Sequence, residues 1–189
     1  MSRPRPSSRQ PAGQPSSAWQ MFEVRVAPAL GMTKQLTLDE QPHYSFRALH
    51  TAQPLDRAAL VREGAPAAFL TDLVVQLQVP KERVYQTIGV PRATADRKVR
   101  NNERLSADTT ERALGLARLV GQVEQMLGES GDPDDPALAS FDAARWVAGF
   151  LDRPHPALGG RKPGEVMDTV DGRAVVSDLV AQLQSGAYA

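Results

Sequence analysis

Apolar residues recur along this chain at three- and four-residue intervals, which predicts helices and almost nothing else. Phe69, Leu70, Leu73, Val74 and Leu77 form one broad apolar face, and Val84, Tyr85 and Ile88 a shorter one. Ala113, Leu116, Val120, Val123 and Leu127 mark a long helix opening at Leu105-Ser106, where Ser106 can cap it and Asp108 suits the positive end of its dipole. Trp146, Phe150 and Leu151 mark the next helix, and Val175, Val176, Leu179, Val180 and Leu183 the last.

Glycine and proline punctuate these faces. A first helix over Asp56 to Glu63 ends at Gly64, a second runs from Pro66 to Gln78, a third from Lys81 to Ile88, and a fourth from Arg92 to Asn101. The long fifth helix ends at Gly128 and Gly131-Asp132-Pro133. Beyond an acidic Asp-Pro linker come three shorter helices, the middle one opened by Pro163, with Asp171-Gly172 turning the chain into the last. The expected fold is all-α. Residues 1–53 form a disordered or poorly ordered N-terminal region, 54–131 a helix-turn-helix bundle, and 132–189 a small three-helix domain. The first eighteen residues are rich in Pro, Ser, Gln and Arg and cannot bury enough apolar surface to order themselves. Phe22, Val24 and Val26 give a weak strand signal, and from Ala27 to Gln53 periodicity is poor.

Charge changes the picture. The chain is neutral overall, yet Lys81 to Arg104 carries seven basic residues against three acidic ones, while Glu129 to Asp142 carries five acidic and no basic residues. A basic block in a neutral chain points towards a polyanion. Within it, Ile88-Gly89-Val90-Pro91 joins two short helices as the turn of a helix-turn-helix requires. With Ala95 and Val99 facing the core, Arg92, Thr94, Arg97, Lys98 and Arg100 face solvent, where arginine and threonine can read base edges. Lys81, Arg83 and Arg104 are candidate phosphate contacts, adding affinity without sequence information. The plainer reading of the same run is a solvated helix face.

Cysteine is absent, so disulfides and thiolate metal sites are excluded. His43, His50 and His155 lack ligand spacing, and no carboxylate pair, Ser/His/Asp set or phosphate loop appears. No apolar run approaches a membrane span and no secretory signal is visible, so a cytoplasmic, non-enzymatic protein without cofactors is expected.

The run Trp146 to Thr169 resembles the toxin-binding domain of the Xre/MbcA/ParS antitoxins. The resemblance rests on Trp146, Pro154, Ala157-Leu158-Gly159-Gly160, Pro163, Glu165, Thr169, Gly172 and the tail Gly186-Ala187-Tyr188-Ala189. His155 stands where that family is expected to have Asn, and Val147 where it has Leu. Leu77 through Leu127 resembles the family's Xre-like N-terminal domain.

The resemblance implies an antitoxin of a type II module whose partner is a RES-fold toxin that consumes NAD. The C-terminal domain would cover the toxin's active site, and the helix-turn-helix domain would dimerise and bind the promoter DNA of its own operon. Candidate toxin contacts are Arg153, His155, Arg161, Lys162, Arg173, Tyr188 as an aromatic anchor, and the Ala189 carboxylate as a phosphate mimic. Trp146 is assigned to the core. The competing class is a stand-alone helix-turn-helix regulator whose C-terminal helices serve only dimerisation.

Overall fold

The structure is a computed structural model that describes residues 45–130 and 140–184. The expectations for the N-terminal tail, the strand signal at Phe22 to Val26, the acidic linker over 131–139, and Tyr188 and Ala189 lie outside the described residues. Among those described, the regular elements are helices, joined by a single backbone bridge between Pro66 and Arg104. In chain order they are α1 Phe46–Thr51, α2 Pro54–Glu63, α3 Ala68–Leu77, α4 Lys81–Thr87, α5 Arg92–Arg100, α6 Ala107–Ser130, α7 Ala143–Leu151 and α8 Val170–Gln184. Two short 3-10 turns, Pro156–Leu158 and Pro163–Glu165, separate the last two.

Helix α6, about 36 Å long, is the spine. The Ser106 hydroxyl accepts from the Thr109 amide at 3.2 Å, which caps it. Its alanines, leucines and valines from Ala113 to Val123 are buried against α2 and α1 on one side and α7 and α8 on another. The apolar faces of α3 and α4 close the rest of the core, with Leu70, Leu73 and Ile88 at or below 1% exposure. Buried Val147, Leu151, Met167, Val176 and Val180 belong to the same continuous cluster, so the C-terminal helices share one core with the helix-turn-helix bundle.

Four expectations change. The packed part starts upstream of Pro54: Ser45 caps α1 through the Ala48 amide at 3.1 Å, and Phe46 and Leu49 are buried. Six residues are too short a window for a period to register. The Asp171-Gly172 turn is absent, because the last helix begins at Val170 with Gly172 in its first turn, its amide donating to the Thr169 hydroxyl at 3.0 Å. Gly172 is needed for proximity: a Cβ there would lie 1.8 Å from the Val166 carbonyl oxygen. Trp146 is half-buried rather than enclosed, and Val175 and Leu183 remain more than 40% exposed. Gly128 does not stop α6, which continues to Ser130.

Helix α1 docks backbone to backbone on α6 at Gly121, where a Cβ would lie 2.0 Å from the Phe46 carbonyl oxygen. Helix propensity alone would make Gly121→Ala stabilising by about 1 kcal/mol. The overlap outweighs that gain, so the variant is expected to lose about 2 kcal/mol and melt about 5 °C lower. A melting temperature above that of the parent would show that α1 does not sit there.

Asp72 on α3 has a buried carboxylate oxygen without a hydrogen-bond partner, and the Gln76 amide nitrogen one turn on shares that condition. Burial pushes the Asp72 carboxyl up to about 7. The native state therefore holds this proton between pH 4 and 7 where the unfolded chain does not. Stability from this group falls as pH rises through that window, and the full cost is present above it. Asp72→Asn is expected to stabilise by on the order of 2 kcal/mol at pH 8 and by little at pH 4.5. Chemical denaturation of both proteins at the two pH values checks this, and equal differences would contradict it.

Candidate functional site

Helices α4 and α5 are set at an angle by Ile88-Gly89-Val90-Pro91. Gly89 takes a left-handed φ of 63°, and the Val90 amide donates to the Tyr85 carbonyl at 2.8 Å. The turn is braced from behind: the Arg112 guanidinium donates to the Ile88 and Gly89 carbonyls at 3.2 and 3.0 Å while pairing with Asp108. A Cβ on Gly89 would meet both Arg112 and Asp168 below 3.0 Å, so the glycine also admits the C-terminal half to the back of the turn.

On α5, Ala95 is the fully buried anchor, and Arg92, Thr94, Arg97 and Arg100 are exposed. The outer face is self-paired. Arg92 meets Glu82 at 3.0 Å and Asp96 at 3.4 Å, and Lys81 meets Asp96 at 2.8 Å. Arg97 and Lys98 converge on Glu103 at 2.7 and 3.4 Å, and Arg100 donates to the Asp96 carbonyl. Lys81 holds the Asp96 carboxyl below its ordinary value, first through its hydrogen bond. Asn101, followed by Lys98 and Arg97, does the same for Glu103. Two candidate phosphate contacts turn away. Arg83 pairs with Asp152 of the C-terminal half, and Arg104 with Glu63 at 3.1 Å and the Gly64 carbonyl at 2.5 Å.

The second region is the loop after α7. Gly159 and Gly160 both take positive φ, 64° and 80°, with open space around them. The His155 amide donates to the Arg161 carbonyl at 3.0 Å and the Gly160 amide to the His155 carbonyl at 3.1 Å, closing the loop on itself. Arg153 and Arg161 are exposed on this closed loop. Lys162 turns back to Asp152 at 2.9 Å, where Asp152 also receives Arg83; these two cations hold the carboxyl below its ordinary range, Lys162 foremost. Arg173 is not part of this surface. Its side chain is 13% exposed, donates to the Met167 carbonyl at 3.2 Å and reaches Glu111 at 3.6 Å.

Sequence reasoning missed an aromatic row beside the loop. Phe141 and Trp146 lie 6.4 Å apart, Trp146 and Phe150 stack at 5.3 Å, and Phe150 meets His155 edge-on at 6.0 Å. The four-residue spacing of Trp146 and Phe150 was visible, but it reads equally as core. Among the described residues no three His, Asp or Glu side chains gather as a metal ion requires, and no helix is long and apolar enough to cross a membrane.

Both regions lie within segments that match known families. Residues 56–118 match the antitoxin Xre-like helix-turn-helix domain. Residues 137–186 match the antitoxin Xre/MbcA/ParS C-terminal toxin-binding domain. The chain is also 41% identical over 148 residues to a Prs ADP-ribosylating antitoxin of Sphingobium sp. (strain YBL2), covering 78% of this chain and 90% of that protein. With a helix-turn-helix unit and a toxin-binding unit in one core, the chain belongs to the Xre/MbcA/ParS family of antitoxins.

Proposed function

We propose that this antitoxin neutralises a RES-fold, NAD-consuming toxin by covering its active site, and that it represses its own operon through α5. The observation that carries the first part is the closed, exposed loop bearing Arg153 and Arg161 on a matched toxin-binding domain, flanked by half-buried aromatics. Arginine and aromatic side chains on a pre-closed loop favour tight protein contact, because little conformational entropy is lost on docking. Two guanidiniums suit acidic side chains around the mouth of such an active-site cleft, since arginine pairs with carboxylates bidentately. The relative's name couples an antitoxin to ADP-ribosylation, which supports transfer of ADP-ribose as the toxin's chemistry. The protein acts in the cytoplasm as a homodimer, which sets two recognition helices on one promoter.

DNA reading uses Arg92, Thr94, Arg97 and Arg100, with Lys81 and Lys98 at the flanks. Arg83 and Arg104 serve the fold instead, since each is committed to a partner away from the outer face of α5. The Arg92 and Arg97 ion pairs do not prevent binding. Exposed pairs of this kind are worth about 0–1 kcal/mol each, less than a good base or phosphate contact returns.

Co-expression with the product of the adjacent reading frame, followed by purification through a tag on either chain, tests the partner. A stable complex is expected, and Arg153→Glu with Arg161→Glu should abolish co-purification while leaving the melting temperature unchanged. A complex that forms undiminished with the double variant would remove the loop from the interface. Removing Ser185 to Ala189 is likewise expected to weaken inhibition.

For the promoter, Arg92→Ala with Arg97→Ala should weaken binding about 10- to 100-fold and reduce the salt slope by roughly one to two. Toxin neutralisation should persist. An unchanged promoter affinity in a mobility shift would displace α5 from the groove.

A further inference from the structure

On the side of α6 away from the loop, a cleft of about 560 Å³ opens between α2 and α8. Four arginines, Arg57, Arg62, Arg118 and Arg173, line it against one carboxylate, Glu111. Arg57 donates to the His50 and Ala52 carbonyls, and Arg173 to the Met167 carbonyl while reaching Glu111. Arg118 differs: it is solvent-exposed at the mouth of the cleft, and among the described residues no carboxylate lies within ion-pair reach of it. Burial, then the charges of Arg57 and Arg173, hold its guanidinium below its usual range. Burial, then the charge of Arg118, lower the His50 imidazole as well.

The Arg57 and Arg173 guanidiniums thus face Arg118 across a half-enclosed space. The Arg173 stem is fixed: it lies on Gly115, where a Cβ would come within 2.3 Å of it. Val61 and Leu119 supply apolar wall. A cavity of this size accepts a nucleotide, and planar guanidinium forks match phosphate oxygens bidentately.

We propose that this cleft binds a nucleotide-sized phosphate anion, held by Arg118 between Arg57 and Arg173. One ligand would then touch α2 and α6 of the helix-turn-helix unit and α8 of the toxin-binding unit together. Its occupancy would set how firmly the toxin-binding helix is held against the rest.

The test uses the full chain, with inorganic pyrophosphate and ATP as probes at constant ionic strength. Calorimetry is expected to give one site per chain with an affinity of about 10 μM, and 1 mM probe should raise the melting temperature by about 5–10 °C. Arg118→Gln should weaken binding at least tenfold. It should also melt no lower than the parent without ligand, since it removes the repulsion. Arg62→Ala, at the exposed rim, should weaken binding less, and Arg97→Ala on α5 should leave it unchanged. No binding at millimolar probe overturns the proposal. So does binding lost with Arg97→Ala but kept with Arg118→Gln, which would place the anion on the DNA-reading face.

Discussion

Close approach to α6 is the constraint on which the molecule depends. This 24-residue helix carries three glycines and three alanines, and at the glycines neighbours can reach its backbone. Gly121 lets the Phe46 carbonyl in, and Gly115 makes room for the Arg173 stem. The first contact anchors the N-terminal helix, the second the last one. Both ends of the described chain therefore converge on one rod, and the buried residues merge into one core. A larger side chain at either glycine would push an entire helix outward, since backbone and a packed arginine stem have nowhere to move.

Joining the two functional surfaces through one core has a mechanical consequence. The turn that aims α5 touches Arg112 and Asp168, and Arg83 of α4 shares Asp152 with Lys162 of the loop. Exposed pairs such as these add little stability. Burial of Leu151 and Met167 holds the halves together, worth about 2 kcal/mol per side chain. The ion pairs instead fix the register in which the buried surfaces meet.

Much of this architecture was legible in the chain. Long apolar periods located α3, α6 and α7, and Gly89 and Gly159-Gly160 adopt the positive φ that their turns demanded. What escaped has physical causes. Helix α1 is shorter than two turns, and its stability comes from a contact 75 residues away. Gly172 reads as a turn because spacing cannot distinguish a glycine chosen for φ from one chosen for room. Charge gave position but no direction: Arg83, Arg104 and Arg173 read as available cations, yet each is bound to a carboxylate that only the fold brings near. At the loop Lys162 is likewise paired with Asp152, while Arg153 and Arg161 are exposed where Pro154 and the glycines keep the chain out of the core.

If α5 reads the promoter as proposed, its self-paired face bears on how a neutral protein would select one site. Duplex DNA attracts any basic surface, and non-specific affinity rises with each unneutralised cation. Here Glu82, Asp96 and Glu103 cancel much of the positive field of Arg92, Lys81, Arg97 and Lys98 at long range. Random sequence, offering phosphates alone, must compete with carboxylates already in place. A matching operator also offers base edges, and a bidentate arginine contact adds about 1–3 kcal/mol, enough to break pairs worth less than that. On the proposed reading these carboxylates lower binding everywhere, but by a smaller fraction at the correct site. On that same reading affinity is traded for discrimination, and Glu82, Asp96 and Glu103 take part in how the site is chosen.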